Sequence, residues 1–160
     1  MTNLAVENAI KGLGIGFERA NVGDRYVLEL LKQKGWIIGG EGSGHLLCLD
    51  QHSTGDGIIA SLQVLAAMSQ AKKSLAQLLD SVNIFPQVLL NMKFKAGYDW
   101  KTDNTLKSKI SQVEIDLKGT GRVLIRASGT EPVLRVMVEA QDGNVAMSAA
   151  KGIADLVPKS

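Results

Sequence analysis

The segment GRVLIRASGTEPVLRVMVEA, residues 121–140, restricts the fold more than any other stretch. Aliphatic and β-branched residues run up to a Ser-Gly-Thr-Glu-Pro turn and away from it again, which is a hairpin pattern. Folding back symmetrically about Gly129–Pro132 sets Val123 opposite Val138, Ile125 opposite Val136 and Ala127 opposite Leu134, one wholly apolar face. The other face then pairs Arg122 with Glu139, Leu124 with Met137 and Arg126 with Arg135. A slip of one residue would scramble both faces, so this register is the expected one.

That register sets two guanidiniums opposite each other, an arrangement that ordinarily destabilises a sheet. A dianion between Arg126 and Arg135 would remove the repulsion and gain charge-assisted hydrogen bonds. The turn offers hydroxyls from Ser128 and Thr130, and N–H groups around Gly129 where backbone can approach an anion closely. The alternative is an ordinary hairpin whose arginines extend into solvent or pair with Glu131.

Periodicity orders the rest. Residues 4–13 read as a helix capped by Asn3, residues 15–20 as a strand, and GDRYVLELLKQKG as a helix capped by Asp24 and ended by Gly35. WIIGG and HLLCLD are short strands around a glycine-rich turn. Thr54 is the expected cap of a long helix carrying Ile58, Ile59, Leu62, Leu65 and Ala66, with Lys72 and Lys73 in its last turn. Ser74 and Gln77 form a capping box.

After Val82 the pattern changes. Residues 87–95 alternate as a strand, and Leu106, Ile110, Val113 and Leu117 form a helical stripe. The hairpin follows, then a helix capped by Asp142 using Val145, Ala149, Ile153 and Leu156. This β-α-β-β-α order predicts an antiparallel sheet with helices on one face, a small α+β domain over residues 85–160 that follows an α/β domain over residues 1–84.

The 160 residues are 45% apolar and 21% charged, suiting a soluble chain of this organisation, and a net charge of +2 without basic runs argues against a nucleic-acid partner. Cys48 stands alone among apolar neighbours, a buried and inert thiol, and a reducing cytoplasm is the expected compartment. No apolar run reaches the roughly 20 residues of a membrane span, and the first residues lack the pattern of a signal peptide.

The turn GGEGSGH, residues 39–45, exposes backbone and presents Glu41, Ser43 and His45 together. Glu41 can accept from neighbouring hydroxyls, Ser43 can donate or accept, and His45 can carry a proton near neutral pH, a set suited to a polyol. A plain glycine turn with a surface histidine is the alternative.

GEGSGH, then TGDGIIASLQVLAAM, then RASGTEPVLRVMVE, with VGDRYV at residues 22–27, together resemble the C-terminal portion of the α-D-phosphohexomutase superfamily. The resemblance runs over essentially the whole chain. It implies most of the third domain, with its first strand missing, followed by the TBP-like fourth domain. It implies that Glu41 and Ser43 hold sugar hydroxyls and that His45 is a possible acid/base group near the reacting hydroxyl. It assigns Arg126, Ser128, Gly129, Thr130 and Arg135 to the phosphate remote from the chemistry, and gives Arg25 a weaker phosphate-facing role, the alternative being a solvated residue of the first helical turn.

The implied activity interconverts glucosamine 6-phosphate and glucosamine 1-phosphate through a phosphoserine and a bisphosphate intermediate. Alternatives are a non-catalytic sugar-phosphate-binding module or a mutase acting on glucose or mannose phosphate. The superfamily's phosphoserine and its Asp-x-Asp-x-Asp Mg²⁺ loop have no counterpart in this sequence, so the chain alone is expected to be inactive and to bind no Mg²⁺. The expected partners are a hexosamine phosphate and the missing N-terminal domains of the same enzyme. Gly42 stands where relatives often carry a polar side chain, which should loosen the turn.

Overall fold

Asn3 accepts from the Ala5 N–H at 3.0 Å and starts α1, Leu4–Gly12, as its side-chain chemistry favours. The computed structural model describes residues 2–95, 97–129 and 131–158, and these divide into two compact units, Met1–Asn83 and Ile84–Ser160.

In the first unit, residues 15–20 form no strand. They are held by side chains instead: Glu7 accepts from Arg19 at 2.8 Å, Lys34 pairs with Glu18 at 2.8 Å, and Arg19 stacks over Phe17. Extended residues become a strand only with a neighbouring edge to bond, and the described residues supply none there.

Helix α2 spans Asp24–Lys34 and ends at Gly35, whose φ of 66° is the left-handed geometry glycine adopts cheaply. Its cap is Gly23 rather than the expected Asp24: Asp24 already lies inside the helix, and its carboxylate accepts from the adjacent Arg25 N–H. Strands β1, Ile38–Gly40, and β2, Leu46–Cys48, pair antiparallel with Gly39 opposite Leu47. α2 packs on β1 at Gly39, where a β-carbon would lie 2.7 Å from Val27 Cγ1 and 2.9 Å from Leu31 Cδ1.

Helix α3, Gly57–Ala71, is capped by Asp56, which accepts from the Ile58 and Ile59 N–H groups at 2.9 Å each. The expected cap, Thr54, lies two residues too early. Lys72 is the C-cap, in left-handed geometry, so Lys72 and Lys73 fall just outside the helix. Ala60 is buried, while Ile58, Leu62 and Leu65 are exposed. Apolar residues surround this helix on most sides, so spacing alone does not choose the inward face. Helix α4, Leu75–Leu79, carries the complete Ser74–Gln77 capping box.

The second unit follows the expected order: β3 (Gln87–Lys93), α5 (Asn104–Asp116), β4 (Gly121–Ala127), β5 (Val133–Ala140) and α6 (Gly143–Ala154). The sheet order is β3-β5-β4, antiparallel throughout, with β5 central. Leu134, Val136 and Val138 of β5 are fully buried against Leu106 and Val113 of α5 and Ala146, Ala150 and Ile153 of α6. At roughly 25 cal/mol per Å² of apolar surface, this layer is the main favourable term holding the unit together.

Asp142 caps α6 as expected, but Val145 and Leu156 turn outward. The inward stripe is Ala146, Ala150, Ile153 and Val157, because small alanines let the helix lie close to the strands.

Candidate functional site

The β1–β2 turn is closed by its own backbone: Glu41 N–H donates to the His45 carbonyl at 2.9 Å, and Gly44 N–H to the Glu41 carbonyl at 3.1 Å. Glu41 then reaches out of the turn. Its Oε1 accepts from the Gly23 N–H at 2.9 Å, so a carboxylate sits at the amino end of α2, where free N–H groups favour negative charge.

Glu41 Oε2 lies 3.9 Å from His45 Nδ1, an electrostatic neighbour beyond hydrogen-bonding range. Ser43 Oγ is 3.1 Å from the same nitrogen. Either the hydroxyl donates to Nδ1 or Nδ1 donates to the hydroxyl, as the tautomer of the ring dictates. The Glu41 side chain is 18% exposed and that of His45 52%. One carboxylate oxygen is therefore engaged by the scaffold, and the imidazole is exposed enough to meet a ligand. The turn brings Glu41, Ser43 and His45 together.

Gly23 and Gly55 were not among the expected site residues. Gly23 supplies the N–H that fixes Glu41, and a β-carbon at Gly55 would sit 3.2 Å from His45 Cδ2. The glycine of VGDRYV was the visible signal for the first; nothing local in the sequence marks the second.

Arg25 stands apart. Its Nε donates to Glu29 Oε1 at 2.8 Å, one turn along α2, and its side chain is 81% exposed. That hydrogen bond raises its already high pKa further. In this arrangement it is a solvated helix residue. A shallow cleft of about 240 Å³ beside α2 is lined by Arg19, Asn21, Tyr26 and Gln33, and contains none of the expected site residues.

In the second unit the predicted register holds at every pair, including Arg126 opposite Arg135. Both arginines are half-buried. They lie on the face away from α5 and α6, since the alternate residues Ile125, Leu134 and Val136 join the core. Among the described residues neither pairs with a carboxylate, Glu131 included. Arg122, farther along the same face, is instead held bidentately by the fully buried Glu139, at 2.8 and 3.1 Å.

Ser128 N–H donates to the Val133 carbonyl at 2.8 Å, which shapes the turn, and Gly129 is exposed with open space around its α-carbon. Thr130 lies outside the described residues. The sheet adds one relationship the hairpin alone could not reveal: Asn91 of β3 is the partner of Arg135 on its other side.

Residues 1–85 match the family model "Phosphoglucomutase/phosphomannomutase, alpha/beta/alpha domain III", and residues 89–156 match the C-terminal domain of the same family. The chain belongs to the phosphoglucomutase/phosphomannomutase family. It is 80% identical over 158 residues to the phosphoglucosamine mutase of Polynucleobacter asymbioticus, a match covering 99% of this chain and 35% of that protein. It thus spans about a third of the curated relatives it matches, and corresponds to family domains III and IV.

Among solved structures, an N-acetylglucosamine-phosphate mutase in its product complex shares the fold over 98% of this chain and 37% of its own, with a TM-score of 0.74 at 19% identity. The Aspergillus fumigatus N-acetylphosphoglucosamine mutase, solved with GlcNAc-6P and magnesium, covers 64% of this chain and 21% of its own at 28% identity, with a TM-score of 0.52. Among the described residues of the present family member, no group of three or more His, Cys, Asp or Glu side chains is placed to hold a metal ion. The described residues therefore do not fit a Mg²⁺ site. No described helix is long and apolar enough to cross a membrane.

Proposed function

We propose that this chain is the sugar- and distal-phosphate-holding part of a phosphoglucosamine mutase, which interconverts glucosamine 6-phosphate and glucosamine 1-phosphate. The observation that carries the proposal is the pairing of Arg126 with Arg135 on the sheet face away from α5 and α6, without a carboxylate partner among the described residues. Two like charges placed side by side by β-sheet register favour a ligand that brings the opposite charge. A phosphate dianion fits this pair better than a carboxylate, because it offers oxygens to both guanidiniums at once.

In this reading Arg126, Arg135, Ser128, Gly129 and Thr130 bind the phosphate that is not being transferred. Ser43 and Glu41 engage sugar hydroxyls, with Glu41 held in place by Gly23. His45 exchanges a proton with the reacting hydroxyl through its exposed edge. The 80% identity to a named phosphoglucosamine mutase supports a hexosamine phosphate over other hexose phosphates. A phosphoserine, and a Mg²⁺ that would neutralise charge on the phosphoryl group, would be supplied by other domains of the same enzyme. The buried Cys48, whose thiol is pushed up by burial and then by Asp50, suits a reducing cytoplasm.

The test incubates the purified chain with glucosamine 6-phosphate, a catalytic amount of the 1,6-bisphosphate and Mg²⁺, and follows phosphorus NMR. The expected result is binding in the high micromolar range or weaker, about −5 to −6 kcal/mol, without turnover. Sustained formation of glucosamine 1-phosphate would overturn the division of labour. Failure to bind any hexose phosphate would overturn the proposal.

A further inference from the structure

We infer that Asn91 is a further ligand of the anion held by Arg126 and Arg135, supplying a neutral amide donor from β3. The inference rests on the phosphate reading above and extends it to a strand outside the hairpin. Because β5 is central, Arg135 has a partner on each side: Arg126 on β4 and Asn91 on β3. Side chains directly opposite in an antiparallel pair have β-carbons roughly 4.5–5.5 Å apart. An anion above Arg135 is therefore within reach of both flanking residues.

The alternation of β3 places Asn91 on the right face. Val88, Leu90 and Met92 pack into the helix-covered core, so Gln87, Leu89, Asn91 and Lys93 face the other way, with the arginines. Three successive cross-strand rows on that face differ in kind. Gln87, Glu139 and Arg122 form a row with its own carboxylate, and Leu89, Met137 and Leu124 form an apolar row. Asn91, Arg135 and Arg126 bring donors and no carboxylate.

Asn91 is exposed, and its amide has no hydrogen-bonding partner among the described residues. Asparagine is a poor strand former, so the middle of β3 gains nothing from it locally. An aspartate there would neutralise the guanidiniums and compete with the ligand, and a leucine would give the ligand no hydrogen bond. A carboxamide leaves both positive charges uncompensated and adds a donor that can turn towards a phosphate oxygen. Lys93, next along the same face, extends the positive field towards the turn.

The experiment titrates inorganic phosphate into the 160-residue chain at constant ionic strength, read by amide NMR. Asn91→Ala should weaken binding roughly three- to tenfold, the loss of one hydrogen bond. Asn91→Asp should weaken it more, because the carboxylate supplies an internal counter-charge. Gln87→Ala, at the far row of the same face, should bind as the parent does. If both Asn91 variants bind normally while Arg126→Ala or Arg135→Ala loses affinity, the Asn91 assignment falls and the arginine clamp survives. If the arginine variants also bind normally, the clamp falls, and Asn91 with it. Equal weakening by Gln87→Ala would show a general effect of β3 and overturn the assignment.

Discussion

Gly23 donates its backbone N–H to Oε1 of Glu41 at 2.9 Å, tying the start of α2 to the β1–β2 turn. The bond joins two motifs that lie 18 residues apart in the sequence. It gives the glutamate a structural duty besides any contact with a sugar.

Replacing Glu41 should therefore loosen the turn before any ligand is added. Glu41→Ala should cost about 0.5–1.5 kcal/mol of stability and move the Gly23 amide proton resonance upfield. Glu41→Gln keeps an acceptor oxygen but loses the charge at the helix start, and should fall between. An unchanged Gly23 amide in both variants would show that the bond does not persist in solution.

Arg126→Ala and Arg135→Ala should each weaken phosphate or sugar-phosphate binding by roughly 1.5–3 kcal/mol, the scale of hydrogen bonds to charged groups. Both stand off the packed face, so the fold should survive. Calorimetric titration with glucosamine 6-phosphate checks this, and equal affinities in parent and variants would remove the clamp.

His45→Ala, placed in a full-length enzyme carrying this sequence, should lower kcat more than it raises KM. Acid–base groups typically contribute on the order of 10²–10⁴ in rate. A raised KM with unchanged kcat would make His45 a binding residue only.

Arg122→Met removes the guanidinium that holds a fully buried carboxylate, and should cost roughly 3–5 kcal/mol. The double variant with Glu139→Leu should recover most of that loss, because no buried charge then remains. Urea unfolding of the single and double variants distinguishes this from simple loss of side-chain contact, which the double variant would deepen.

Tyr98 donates to Asp103 Oδ2 at 2.8 Å, and its phenol is pushed up to about 12 by burial and then by that hydrogen bond. A pKa raised in the folded state means the contribution is complete below the ordinary value of 10.0 and is lost as pH rises towards about 12. Tyr98→Phe should be less stable at neutral pH by about 0.5–1.5 kcal/mol. Its stability should also fall less steeply than the parent's over that alkaline window. Parallel alkaline slopes would show that Tyr98 ionises without regard to folding.

The hairpin register was legible in the sequence because two constraints coincide there: a turn of fixed chemistry and an apolar face that tolerates no slip. The Asn3, Ser74 and Asp142 caps were legible for a similar reason, each depending on a side chain and N–H groups two or three residues away. Tertiary structure decided what depends on distant neighbours. Residues 15–20 have strand-like composition but no edge to pair with. Helix α3 is apolar on most sides, so only packing selects Ala60 over Leu62 for burial. The Gly23–Glu41 bond and the Asn91–Arg135 pairing join separate segments, and no local pattern encodes them. The sequence thus determined which residues could bind an anion or a polyol, since donors and acceptors are properties of side chains. Which of them share a row or a hydrogen bond was decided by strand order and helix packing, which only the folded chain defines.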